Sequence, residues 1–244
     1  MKKRSWLAAA AALLTAACGA KVSNQLANIA SGSASGGRSA AGILAFAAQG
    51  CAATWNGQPV TPDALTGKSA EMMAQAIRAM GGVQHLDFDN APVVRVEAPP
   101  SLAWSCAAPY VAAIGRSGAP LIALALAGDT GPPPQLGMAL PNMPPPEAAI
   151  TIAAHAWRWN GASVDAAGLD RYLTQLGGAP GEADEGPPPG LVRLEPGPDA
   201  TLADIAVPAR AALAHHLPPD LAADPAGLPV PVTPGEPPLP PPSR

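Results

Sequence analysis

The chain has 244 residues, of which 48% are hydrophobic but only 4% aromatic, and it carries 32 prolines and 25 glycines. Cores of Ala, Val, Leu and Ile are modest, and this much proline and glycine argues that part of the chain is unpacked, so two small domains with tails fit better than one large one. The formal net charge is −4 and Lys2, Lys3 and Arg4 crowd the start, so the remainder lacks the clustered cations that nucleic acid or a basic membrane-surface patch requires.

Lys2-Lys3-Arg4 is followed by an apolar run from Trp6 to Ala17. A run of about twelve residues is too short for a spanning helix, which needs roughly twenty, and has the layout of a signal peptide over residues 1–17. Leu14-Thr15-Ala16-Ala17-Cys18-Gly19 then sets two small residues before a cysteine and resembles a bacterial lipobox, with Thr15 where leucine is usual. That resemblance implies a lipid on Cys18, and so a membrane-anchored protein on the periplasmic side of the cell envelope. The alternative is cleavage after Ala17 or Ala20 by an ordinary signal peptidase, giving a soluble periplasmic or secreted protein. With Cys18 lipidated, Cys51 and Cys106 remain as a pair in an oxidising compartment and are expected to form a disulfide, two buried free thiols being the alternative.

Residues 18–40 are rich in Ser, Gly and Ala and read as a tether, because they cannot bury enough surface to offset their ordering entropy. A first domain is predicted over 41–128. Its Asn56-Gly57 reads as a turn, Thr61-Pro62-Asp63 as a helix start, and Met72, Met73, Ala76, Ile77 and Met80 as one apolar face ending at Gly81-Gly82. A strand over Val93 to Glu97, a helix from Leu102 to Gly115 and a buried strand from Leu121 to Leu126 follow. Residues 129–146, with two triple-proline runs, read as a semi-rigid spacer.

A second domain over 147–217 repeats the first. Trp159-Asn160-Gly161 follows the pattern of Trp55-Asn56-Gly57, Val164 and Leu169 that of Val60 and Leu65, and Val192-Arg193-Leu194-Glu195 that of Val94-Arg95-Val96-Glu97. Leu169, Tyr172, Leu173 and Leu176 read as a core stripe before Gly177-Gly178, and Ala200 to Leu217 as the second helix. The closing strand is missing or displaced to Leu228 to Val232, and residues 218–244 read as a Pro-rich disordered tail. The fold class expected is therefore α+β: two tandem domains, each a mixed sheet with two helices on one face.

Trp55 to Val60 with Leu65, Val93 to Glu97, and Ser117-Gly118-Ala119-Pro120 before Leu121 to Leu126 together resemble the periplasmic domain of the ExbD/TolR family, and Ile150 to Ile152 with Trp159 to Leu169 repeat the likeness. The resemblance implies a cell-envelope module of biopolymer transport, with an envelope protein or peptidoglycan as partner. It departs from the family where proton coupling needs an aspartate in a transmembrane helix, since Trp6 to Ala17 has no acid. A binding or scaffolding role is what it leaves. A structural or assembly lipoprotein unrelated to transport, and an exported hydrolase, are the alternatives.

No enzyme, metal or cofactor chemistry is expected. Thr66-Gly67-Lys68-Ser69 lacks the glycine frame of a phosphate loop and reads as a polar turn. Gly115-Arg116-Ser117-Gly118 lacks nucleophile-elbow spacing and reads as a helix stop. The histidines at 85, 155, 215 and 216 have no metal-ligand spacing. His85 to Asp89 reads as a solvated loop, and His215-His216 as serving a helix end.

Overall fold

The computed structural model describes residues 40–82, 91–119, 121–139, 146–177 and 191–223. Apart from Ala40 they belong to one compact unit. The signal peptide, Cys18, the tether before Ala40, the His85 to Asp89 segment and the Leu228 to Val232 segment lie outside the described residues.

In β1 (Ala40–Phe46), Leu44 and Phe46 are buried while Ile43 is exposed, the period of a half-covered strand. Hairpins lead to β2 (Ala53–Trp55) and β3 (Gln58–Val60). The second hairpin turns through Asn56 and Gly57 at φ 50° and 81°, a left-handed pair that these two residue types tolerate. Thr61 caps α1 (Pro62–Ala79) by accepting the Ala64 N–H at 3.4 Å, and Pro62 takes the first position, where no N–H is missed. Leu65, Ser69 and Met73 are its buried stripe. The polar turn expected at Thr66 to Ser69 is thus the middle of this helix. Ser69 satisfies its hydroxyl on the Leu65 carbonyl at 2.8 Å, which lets it sit there buried.

The first half is completed by β4 (Val93–Ala98), α2 (Trp104–Arg116) and β5 (Leu121–Leu126), with Gly118 at φ 84° closing the expected helix stop. Next comes β6 (Gln135–Met138). The second half is β7 (Ala148–Ala153), β8 (Ala156–Trp159), β9 (Ala162–Val164), α3 (Ala166–Gly177), β10 (Val192–Pro196), α4 (Leu202–Ala214) and β11 (Pro219–Leu221).

All eleven strands of the described residues form one sheet in the order β3-β2-β1-β4-β5-β6-β11-β10-β7-β8-β9. The fold is mixed α/β, with four helices among the described residues, but two separate sheets are not what forms. The expected spacer supplies β6, which joins the halves: it is antiparallel to β5 and parallel to β11. Leu136 and Met138 are buried between strands that would otherwise be edges, and the Pro132 to Pro134 run stops short of the paired residues. The closing strand of the second half is β11, directly after α4 and inside the expected tail.

Outward from β6 the order is β5-β4-β1-β2-β3 on one side and β11-β10-β7-β8-β9 on the other. The two turns match atom for atom. Asn56 exchanges bonds with Ile43, N–H to carbonyl at 2.9 Å and carboxamide oxygen to N–H at 2.9 Å; Asn160 does the same with Ala149 at 2.9 and 2.8 Å. Helices α2 and α4 are both 13 residues long. Their leading segments pair antiparallel at Ala103 and Thr201, with Trp104 N–H donating to the Ala200 carbonyl at 2.7 Å and Leu202 N–H to the Leu102 carbonyl at 3.0 Å. This reciprocity is that of an approximate two-fold.

One apolar core, to which Leu65, Val111, Ile114, Leu169, Leu173, Ile205 and Ala209 contribute from the four helices, covers one face of the sheet. Where the ends of α3 and α4 meet, a Cβ on Gly177 would collide with the His215 carbonyl oxygen. Only glycine permits that approach.

Candidate functional site

Three places concentrate polar chemistry. The first is where a hairpin loop meets the first turn of the second helix in each half. In the first half, Cys51 precedes β2 and Cys106 is the third residue of α2; they form the expected disulfide, with Cα atoms 5.0 Å apart. In the second half the corresponding loop carries His155, at φ 55°, and the third residue of α4 is Asp204.

Asp204 is buried and heavily bonded. One oxygen accepts the Thr201 N–H at 2.8 Å and the Thr201 hydroxyl at 2.7 Å, while Thr201 Oγ1 accepts the Asp204 N–H at 3.3 Å, a closed capping box. The other oxygen accepts the His155 N–H at 3.2 Å and lies 3.1 Å from His155 Nδ1. Trp157 Nε1 donates to the Asp204 carbonyl at 3.1 Å. Burial pushes the carboxyl up, but the Thr201 backbone and side-chain bonds, the His155 backbone bond and the His155 charge outweigh it and hold it below its usual range.

Thr, His and Asp are the side chains of a hydrolase triad, yet the wiring differs. Both Thr201 Oγ1 and His155 Nδ1 face Asp204, so the hydroxyl donates its hydrogen bond to the carboxylate and not to an imidazole. Among the described residues no imidazole accepts a hydrogen bond from that hydroxyl. The arrangement fastens a loop to a helix.

The second place is the β9 edge. The Trp159 and Tyr172 rings stack with centroids 5.4 Å apart and planes 8° from parallel. Tyr172 is 38% exposed, so its expected place in a core stripe is corrected: the neighbouring Leu169 and Leu173 fill the core, and Tyr172 rides the edge of the helix against Trp159. Beside it Ser163, Asp165, Arg171 and Tyr172 line a shallow depression of about 400 Å³. Asp165 also caps α3 by accepting the Gly168 N–H at 2.7 Å.

The third lies on the sheet face away from the helices. Val93, Leu121, Gly137, Asp220, Arg193 and Ala149 are successive register partners across β4, β5, β6, β11, β10 and β7. Asp220 and Arg193 are each 1% exposed. Among the described residues neither Asp220 carboxylate oxygen has a hydrogen-bond partner, and burial raises its pKa to about 6 although the Arg193 charge opposes this. Arg95, which holds the place of Arg193 in the first half, is exposed and pairs with Glu97 at 2.8 Å.

Of the histidines read from sequence, His215 is buried at the end of α4 with Nε2 2.9 Å from Asp170 Oδ1 of α3, which ties two helices together. In the sequence His155 reads only as a histidine without metal-ligand spacing and Tyr172 only as core, and Thr201, Asp204 and Asp220 are not singled out. The Thr201-x-x-Asp204 spacing before an apolar run was the available signal for one of these clusters. Among the described residues no three His, Cys, Asp or Glu side chains gather as a metal site, and no helix is long and apolar enough to cross a membrane. Compared with models of known families, with curated proteins and with solved structures, the chain matches none.

Proposed function

We propose that the chain is a cell-envelope binding or scaffolding module, held to a membrane through lipidated Cys18 and built from two copies of one unit similar to the periplasmic part of ExbD/TolR proteins, fused about a shared sheet. One observation supports this reading above the others. Each half runs hairpin, helix, strand, helix, strand, the order the resemblance implies, with the same Asn-Gly bonding at the same place. The exposed Tyr172 ring, with Arg171 and Asp165 beside it, offers a contact for a polar envelope polymer or protein surface.

The experiment has two arms. The full-length chain is crosslinked in intact envelopes and probed for a proton-channel subunit, and the purified chain is sedimented with isolated peptidoglycan. Capture of either, reduced by Tyr172→Ala, supports the reading; no capture in both arms sinks it. Separately, Cys18→Ala should move the protein from membrane to soluble fractions. A wild-type chain with an unmodified Cys18 would remove the anchor.

A further inference from the structure

We propose that Cys51–Cys106 is a reversible thiol–disulfide exchange site at which an incoming thiolate attacks Cys51 and Cys106 departs as the thiolate. Three observations carry this. Cys51 is exposed in the loop before β2, next to Gly50 at φ 76°, whereas Cys106 is half-buried and packs against the core. An attacking thiol therefore reaches Cys51 first.

Cys106 is the third residue of α2, within reach of the helix's positive end. The capping position holds Ala103, which offers no side-chain bond, and no acidic residue stands in the first turn to neutralise that end. A thiolate there is stabilised, and the better-stabilised thiolate is the better leaving group. In the second half the same third position of the helix holds an acidic residue, Asp204, whose carboxyl is held below its usual range by its bonds to Thr201 and His155.

The second half also shows the same loop-to-helix connection made without a covalent bond, through His155 and Asp204. The fold thus makes this connection without a covalent bond in one half, so opening the bridge in the other half does not require that half to unfold.

The chemistry balances with a dithiol as reductant. Its first thiolate forms a bond to Cys51 Sγ as the Cys51–Cys106 bond breaks, and the electron pair goes to Cys106 Sγ. Its second thiolate then attacks the reductant's own sulfur in the mixed disulfide and releases Cys51 as a thiolate. The dithiol is oxidised to a disulfide, and the protein takes up two electrons and, on protonation, two protons.

The test uses the full chain carrying Cys18→Ser, exposed to limiting reduced glutathione without denaturant, quenched with N-ethylmaleimide and mapped by mass spectrometry. Glutathione should sit on Cys51 and maleimide on Cys106, with an excess of about tenfold over the reverse labelling. The fully reduced protein should keep its far-ultraviolet circular dichroism, and oxidised glutathione should restore the bond. Exchange that needs denaturant would make the bridge a static staple and overturn the proposal. So would glutathione chiefly on Cys106, or collapse of the spectrum on reduction.

Discussion

In the first half the loop before β2 is bound to the third residue of α2 by a disulfide; in the second the loop before β8 reaches the third residue of α4 through an imidazole and a buried carboxylate. The same two elements are joined at the same place by different chemistry. A second difference lies on the sheet face away from the helices, where Arg95 is exposed and Arg193 buried opposite Asp220. The backbone order of each half therefore does not depend on which bond fastens it, and the two halves can be stressed separately.

The largest effect should come from the covalent join. Replacing both Cys51 and Cys106 by Ser frees a separation of 55 residues, worth about 4 kcal/mol in the chain-entropy model. Urea unfolding should show a midpoint lowered accordingly and a steeper slope, because the unfolded chain without the crosslink exposes more surface. An unchanged midpoint would mean that the loop is held as well by its packing alone.

Next in size is the buried pair. The pKa of Asp220 is raised from 3.8 to about 6, so the folded state binds its proton more tightly than the unfolded chain does. Its contribution is fully present below pH 3.8 and is lost as pH rises through about 6, a change of about 3 kcal/mol. Stability measured by chemical denaturation should fall across that window. Asp220→Asn should flatten the fall, and a variant that keeps the full slope would place its origin elsewhere.

The non-covalent join comes third. Asp204→Ala removes the capping box and both contacts to His155, at a cost of about 2 kcal/mol. Because the Asp204 carboxyl is held below its usual range, its contribution is present above the unfolded value and lost as pH falls through the folded one. Wild type should thus lose stability in strong acid by a step that Asp204→Ala lacks. If Asp204→Ala instead costs as much as the double serine variant, the two joins are energetically alike despite their chemistry.

The sequence made the repeated elements legible because their signals are local. Asn-Gly needs a left-handed pair, Thr61-Pro62 a helix start, and both occur where they were expected. One sheet runs through both expected domains because the strand that joins them lies in a segment whose composition reads as a spacer. Proline runs flank Gln135 to Met138, and four residues with only two buried apolar side chains carry little pattern of their own; their pairing is supplied by strands far away in sequence. Three-residue β11 was hidden likewise between prolines and the tail. Of the candidate sites, the cysteine pair was readable because setting Cys18 aside for lipidation leaves two of the three cysteines, while His155 and Asp204 are 49 residues apart and meet only through the fold.

The smallest effect tests the equivalence itself. Asn56 and Asn160 have φ of 50° and 45°, and each offers its carboxamide oxygen to a strand N–H, of Ile43 or Ala149, at 2.9 and 2.8 Å. Alanine at either position would keep the left-handed backbone at a penalty and lose one bond, costing about 1–2 kcal/mol. Since the geometry is the same, the two losses should agree within about 0.5 kcal/mol, and the double variant should lose their sum because the turns lie at opposite ends of the sheet. The neighbouring edges sharpen the comparison. Pro59 in β3 has no N–H to present, whereas Ser163, its counterpart in β9, has one, so a loosened second turn exposes an edge that can pair with another chain. Asn160→Ala should accordingly aggregate more readily than Asn56→Ala at equal stability loss, measured by light scattering during slow heating. Equal aggregation would show that Pro59 is not what guards the first edge.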